Sequence, residues 1–174
     1  MAGASSTGLS VASSMRQLGY AAEASTLLQR LQSQVSDRAD FWFQLTIAAH
    51  AAHQTELMVE AAEKAWKLAP ENWAYLHNYA ATLIAQRRDP ATAVKLTLQV
   101  LQRSPDDRRV RLNHALALLL NERLDEAEKL LQVPSEMSLS MEERATLHFG
   151  LFELAIRRGQ WEVARREFPR IEQS

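Results

Sequence analysis

The sequence predicts an all-helical protein in which antiparallel helix pairs stack in series as a right-handed α-α superhelix, a solenoid of about five helix-turn-helix repeats. Three observations lead to this fold class. Hydrophobic residues make up 47% of the 174 positions and aromatic residues only 7%, while 5 Gly and 5 Pro are the few helix breakers. Small residues recur with one period along the chain. Between them, apolar residues follow helical spacing on one side of each segment.

The period of 34 or 35 residues is visible in three sets of positions. Small residues of the first helices stand at Ala12, Thr46, Ala80 and Ala115. Matching positions of the second helices are Ala24, Met58, Ala93, Ala127 and Ala164, and only the last step is longer, at 37 residues. Segments end at Ser36, Pro70 and Pro105. A single helix pair cannot bury its own apolar face, so each pair is expected to stack on the next, with small residues allowing close approach.

Local signals divide these repeats into helices. Asp89 before Pro90 is typical of a helix start, and Ser140 with Glu143 forms a capping box. Gly19 and Gly159 fit the turns inside the first and last pairs. The predicted helices cover residues 5–18, 20–35, 38–52, 55–69, 72–87, 90–103, 107–121, 124–132, 140–158 and 160–172.

The repeated pattern resembles the tetratricopeptide repeat (TPR) family. The clearest match is the second unit, with Trp42, Leu45, Thr46, Ala65 and Pro70. The resemblance implies one domain over residues 1–174, with repeats at 5–36, 39–72, 73–106, 107–133 and 141–172.

The last repeat departs from the pattern. Phe152 occupies the position expected to be small, and Pro134 is expected to cut the preceding helix short before an irregular connector over residues 133–139. Glu162, Arg165, Arg166 and Arg170 lie opposite the apolar stripe of the final helix. They predict a polar outer face that ends the array in water.

No pattern in the sequence favours catalysis, a metal or a cofactor. Cysteine is absent, which removes thiolate chemistry. His50 and His53 stand three apart at the end of a predicted helix or in its turn but lack further ligands, and Glu60 and Glu63 lie near lysines on a helix face predicted to be solvent-exposed. The four tryptophans fall at repeat-related or junction positions and are predicted to lie in the core; they are Trp42, Trp66, Trp73 and Trp161. We expect a protein that is not an enzyme.

Charge and hydropathy restrict the partners and the compartment. The net charge is -1, without the positive surplus typical of nucleic-acid binding. No apolar run approaches the roughly 20 residues needed to cross a bilayer, and no signal peptide is visible, so a cytoplasmic location is expected. Arg108, Arg109 and Arg111 offer an alternative contact for an acidic partner.

The TPR resemblance implies a partner-binding surface on the first helices, which line the concave face in that family. The residues expected there are Phe43, Ile47, His50, His77, Asn78, Ala81, Arg109, Leu112, Asn113, Leu116, Phe149 and Glu153. Some family members clamp the C-terminal carboxylate of chaperones with Lys, Asn and Arg. Asn78 and Arg109 resemble parts of this clamp, but Phe43 and Ile47 replace the others, so chaperone tails are expected to bind weakly or not at all.

These observations favour a non-catalytic module, a bacterial adaptor or assembly factor that holds a peptide or helix of another protein. Two alternatives stay open. In the first alternative, the chain is the regulatory repeat region of a larger enzyme. In the second, it binds RNA as the similar pentatricopeptide repeats do. Apolar residues at positions 43, 47 and 116 and the absence of net positive charge weigh against RNA.

Overall fold

The structure is a computed structural model that describes residues 2–133 and 135–173, and these ranges are helical apart from turns and the connector between Leu131 and Met141. The helices are α1 (Ala2–Gln17), α2 (Ala21–Val35), α3 (Ala39–Ala51), α4 (Thr55–Leu68), α5 (Trp73–Ala85), α6 (Pro90–Arg103), α7 (Arg108–Leu120), α8 (Leu124–Leu131), α9 (Met141–Arg157) and α10 (Trp161–Glu172). Every predicted helix is found, with ends within three residues of the prediction. A 3-10 helix, Glu136–Ser138, lies in the connector before α9; the predicted effect of Pro134 lies outside the described residues.

The chain forms two compact units, Met1–Thr82 and Leu83–Ser174. The division falls within α5. The expectation of one domain over residues 1–174 stays a prediction.

In the first unit, the small residues of the repeat allow helices to approach closely. Here α1 packs on α2 and α3, α2 packs on α3, and α3 packs on α4. Ala12, Ala24 and Thr46 are buried, as the period predicts. The core they share is filled by large side chains, notably Phe41 and Trp42, and the Trp42 indole donates a hydrogen bond of 2.8 Å to the carbonyl oxygen of Ser36.

The second unit repeats this arrangement. Here α7 packs on α6, α8 and α9, while α9 also packs on α8 and α10. Ala93, Ala115, Ala127 and Ala164 are all buried, so the small-residue ladder is confirmed in this unit too. A buried hydrogen bond of 2.8 Å joins Thr97 Oγ1 to His114 Nδ1 between α6 and α7. Burial, and then the charge of Arg123, lowers the pKa of His114, which favours a neutral imidazole in this core.

The turn inside each helix pair has the same backbone geometry five times. Gly19 and Gly159 have φ of 90° and 68°, which confirms their predicted role. His53, Arg87 and Glu122 occupy the equivalent turns with φ of 56°, 50° and 58°. In each case the next residue donates its N–H to a carbonyl five positions earlier, as from Gln54 to Ala49 at 2.8 Å. This is the Schellman ending of a helix, built here with and without glycine.

The predicted helix starts are confirmed in atomic detail. The Asp89 carboxylate accepts a hydrogen bond of 3.1 Å from the Thr92 N–H. Hydrogen bonding to the Thr92 side chain, and then to this N–H, lowers the pKa of Asp89. Ser140 and Glu143 form the reciprocal capping box at the start of α9.

Two of the tryptophans contradict the prediction that all four lie in the core. Trp42 is buried, whereas Trp73 and Trp161 are 55% and 61% exposed. Each exposed tryptophan is the first residue of its helix, where fewer neighbours surround a side chain. Phe168 in the last helix is 52% exposed as well, so the predicted apolar stripe of α10 is only partly buried.

In the last repeat, α9 approaches α7 and α8 closely at Gly150 and not at the position of Phe152. A Cβ added to Gly150 would lie 2.7 Å from Leu131 Cδ2 and 3.4 Å from Leu116 Cδ2. Phe152 instead packs on Phe168, with ring centroids 5.8 Å apart. The small residue therefore moves two positions towards the start of the helix, and the aromatic residue is accommodated between α9 and α10.

Candidate partner-binding surfaces

Helix α3 has one side in the core and another side on the surface. Trp42, Leu45 and Thr46 are buried. Phe43 and Ile47, four positions apart, are only half-buried, and His50, one turn further, is exposed. The helical spacing of these three residues places them on one stripe, with an apolar start and a polar end.

Helix α5 lies beside this stripe of α3 and extends the same surface. The Tyr75 ring lies 5.1 Å from the Phe43 ring between centroids, which places the two first helices side by side. His77, Asn78 and Ala81 are half-buried on α5. The Asn78 side-chain oxygen is buried and has no hydrogen-bond partner. We call this surface the α3–α5 face; its residues are Asp40, Phe43, Ile47, His50, Tyr75, His77, Asn78 and Ala81.

An ion pair between Arg38 and Asp40 lies at one end of the α3–α5 face. The Arg38 guanidinium donates two hydrogen bonds to Asp40, of 3.0 Å and 2.5 Å, and these bonds lower the pKa of that carboxyl group. Burial, and then the charge of Asp40, raises the pKa of Tyr75. The tyrosine therefore keeps its proton at neutral pH and can donate it in a hydrogen bond.

Asp40 and Tyr75 were missing from the predicted lining. The sequence contained a signal for Asp40, because it precedes Phe43 by three positions and so belongs to the same helical stripe. No comparable signal pointed to Tyr75, since only the packing of α5 beside α3 brings its ring to Phe43.

The predicted lining residues of the second unit do not all lie on a surface. Arg109 is exposed at the start of α7, 3.8 Å from Asp107, and Asn113 is half-buried. Phe149 on α9 is 38% exposed. Leu112 is fully buried and Leu116 only 9% exposed, contrary to the expectation that they offer pockets to a partner. They belong to the core, because α9 packs onto α7 and its Gly150 approaches Leu116.

Glu153 already has partners within the unit. Its carboxylate accepts hydrogen bonds from Arg87 and Arg157, and its side chain is 14% exposed. Arg157 also lies 3.4 Å from Glu122. This network connects α9 to the turns at Arg87 and Glu122, so we assign it to the packing of the unit and not to partner binding.

The other sequence motifs have structural explanations. His53 lies in the turn after α3, so His50 and His53 do not share a helix; the described residues contain no group of three or more His, Asp or Glu that could hold a metal. Glu60 and Glu63 form ion pairs with the lysines one turn later, at 2.6 Å and 2.7 Å. Arg108 donates to the Ser138 carbonyl at 2.7 Å, which connects α7 to the connector.

Solved structures show which fold this arrangement belongs to. The chain resembles MamA from Desulfovibrio magneticus RS-1 (from residue 41 to its end) with a TM-score of 0.73 and 17% identity, covering 97% of this chain and 93% of the other. YrrB, a TPR protein with an unusual peptide-binding site, gives 0.69, 14% identity and coverage of 94% and 82%. PilW, a widely conserved type IV pilus biogenesis factor, gives 0.70, 15% identity and coverage of 98% and 77%.

The fold is therefore that of tetratricopeptide repeat proteins, which confirms the predicted resemblance at the level of the fold. No family model matches the sequence, and no curated protein matches it either. Across residues 2–133 and 135–173, every helix is too short or too polar to span a membrane.

Proposed function

We propose that this chain is a non-catalytic interaction module, an adaptor or assembly factor that holds a peptide or helix of another protein on the α3–α5 face. The proposal rests on the difference between the two sides of α3. One side fills the core of its unit, while Phe43 and Ile47 on the other side stay half-exposed beside polar groups. Apolar positions next to hydrogen-bonding side chains are what peptide-binding surfaces use for affinity and register.

The chemistry of the α3–α5 face indicates the kind of segment that it binds. Phe43, Ile47 and Tyr75 provide contact for apolar side chains. The Tyr75 hydroxyl can donate to a peptide carbonyl, and the unmatched Asn78 oxygen can accept from a peptide N–H if the amide turns outward. The described cation on this side, Arg38, is already bound by Asp40. An apolar internal segment therefore suits this face better than a free C-terminal carboxylate.

The solved structures support this proposal by analogy. YrrB, which shares the fold, has a peptide-binding site, and PilW is a biogenesis factor.

Substitution of Ile47 by glutamate tests the proposal by placing a charge in the middle of the apolar stripe. We expect the amount of partner captured from lysate by the purified protein to fall at least tenfold, because one buried unpaired carboxylate costs more than the roughly 1.4 kcal/mol that tenfold represents. Captured proteins are quantified by mass spectrometry. Leu116 is unsuitable for this test, because its burial makes a charge there a stability variant.

Leu68→Glu is the matched control, because Leu68 is 45% exposed at the end of the second helix α4 of the same unit. It adds the same charge and should leave capture unchanged. Circular dichroism melting must show that both variants fold. Equal loss of capture in the two folded variants, or no loss in either, contradicts the proposal.

A further inference from the structure

A small pocket lies where the start of α7 meets the connector that leads to α9. Its volume is about 230 Å³. Sites that enclose a whole small molecule usually exceed about 300 Å³, so this pocket suits one functional group and its stem. We call it the α7–connector pocket, and it is lined by Pro105, Asp106, Arg108, Arg111, Val133, Ser135, Ser138 and Leu139.

Two arginines of this lining carry charges that no carboxylate balances. Arg108 donates one hydrogen bond of 2.7 Å to the Ser138 carbonyl oxygen, and its guanidinium has further N–H donors. Arg111, one turn later on the same side of α7, is half-buried, and its Nε is buried without a hydrogen-bond partner. Within residues 2–133 and 135–173, neither arginine forms an ion pair. A buried donor that lacks an acceptor is costly, so an oxygen ligand would stabilise this pocket.

The arginine between them in sequence has a different environment. Arg109 is exposed, lies 3.8 Å from Asp107 and does not line the pocket. The three arginines therefore do not act as one cationic cluster. The structure separates a pair that lines a pocket from a single residue that faces solvent.

The charges of the lining match a ligand with one negative charge. Two arginines and Asp106 give the pocket two positive charges and one negative charge. A carboxylate balances this excess, and its two oxygens match the fork of a guanidinium group. A doubly charged phosphate would place its second charge beside Asp106, which repels it.

The other lining residues indicate what carries the carboxylate. Pro105, Val133 and the buried Leu139 provide apolar contact for the methylene groups of an acidic side chain. The Ser138 hydroxyl donates to the Ser135 carbonyl oxygen at 3.0 Å, and its oxygen can still accept an N–H from a peptide backbone. A free inorganic anion would use neither of these features.

We propose that the α7–connector pocket binds an acidic side chain from a peptide segment of another protein. The carboxylate pairs with Arg108 and Arg111, and the stem of the side chain packs on the apolar wall of the pocket. The pocket belongs to the second unit, so this proposal does not depend on the α3–α5 face.

The peptide acetyl-Ala-Glu-Ala-amide is the probe, titrated into the full 174-residue protein labelled with ¹⁵N. The arginine Nε–H signals in NMR spectra report directly on the two guanidinium groups. We expect the Arg111 signal to shift saturably. The peptide acetyl-Ala-Gln-Ala-amide has nearly the same shape without the charge and should give no saturable shift.

Three variants test which residues hold the carboxylate. Arg111→Gln should weaken binding of the Glu peptide at least about fivefold, followed at the Arg108 signal. Arg109→Gln is the matched control, since it removes the same charge from the same helix outside the pocket, and it should change binding less than about twofold. Asp106→Asn should tighten binding, because it removes the negative charge that opposes the ligand. Backbone spectra show whether each variant folds, and Arg108→Gln at an exposed position replaces Arg111→Gln if that variant does not.

Several results would overturn the proposal. One is equal binding of the Glu and Gln peptides, and another is an equal loss in Arg109→Gln and Arg111→Gln. Weaker binding in Asp106→Asn would indicate a pocket for a cation. Acetate that saturates the Arg111 signal at the same concentration as the Glu peptide would assign the pocket to a free carboxylate, and tighter binding of inorganic phosphate would assign it to phosphate. A shift of the Arg111 signal when the protein alone is diluted would assign it to a second copy.

Discussion

Replacing His148 by alanine is expected to lower the free energy of unfolding of the second unit by about 3 kcal/mol. His148 Nδ1 and Glu167 Oε2 lie 2.9 Å apart between α9 and α10, and both side chains are buried. Without the imidazole, the buried carboxylate loses the hydrogen bond with His148 and is left with ion pairs to Arg166 and Arg170, at 3.6 Å and 3.8 Å. Chemical denaturation followed by circular dichroism measures the change.

The double variant His148→Leu with Glu167→Leu provides the decisive comparison. Because apolar residues of similar volume replace the whole buried pair, the double variant should lose less stability than His148→Leu alone or Glu167→Leu alone. Glu162→Ala serves as the control on the same helix, since its ion pair with Arg165 is exposed and its loss should change stability by less than about 0.5 kcal/mol. If the two single losses simply add in the double variant, the buried pair is not the cause.

Substitution of Gly150 by isoleucine is expected to cost about 2 to 3 kcal/mol, since it overpacks the contact of α9 with α8 and α7. Its Cβ would already lie 2.7 Å from Leu131 Cδ2, and the branches would extend further into the same space. Gly150→Ala should be nearly neutral, because the end of the Leu131 side chain can turn aside and alanine favours the helix. Thermal and urea unfolding measure both variants.

Phe149→Ile is the control for Gly150→Ile, because it places the same residue type on the partly exposed side of α9. It should have a much smaller effect. Similar losses at positions 149 and 150 would show that isoleucine is tolerated poorly throughout this helix and that the close contact is not responsible.

Helix positions were predictable because the sequence repeats its own signals. Buried small residues such as Ala80 and Ala115 recur with the period that stacking requires, and Asp89 and Ser140 cap the helices that they precede. The non-glycine turns were not predictable in this way. His53 and Arg87 adopt positive φ because the packed helix pair imposes it on the residue at the turn, against the preference of a single side chain.

Surface residues were harder to predict than helices. Helical spacing shows which residues share one side of a helix, but it does not show where the neighbouring helices lie. The stripe of Phe43 and Ile47 followed from spacing alone. Leu112 had an equivalent spacing, yet α9 packs on α7 and Leu112 is fully buried. The exposure of Trp161 was missed for the opposite reason, since only the structure shows that this end of α10 lacks a covering helix among the described residues.

The proposed function requires that a partner protein occupies the α3–α5 face. Site-specific photocrosslinking tests it directly, with a benzophenone side chain introduced at the exposed His50 or, as a control, at Leu68. We expect the protein captured by the wild type to crosslink through position 50 and not through position 68. Crosslinking through position 68 alone, or equally through both positions, would contradict this claim.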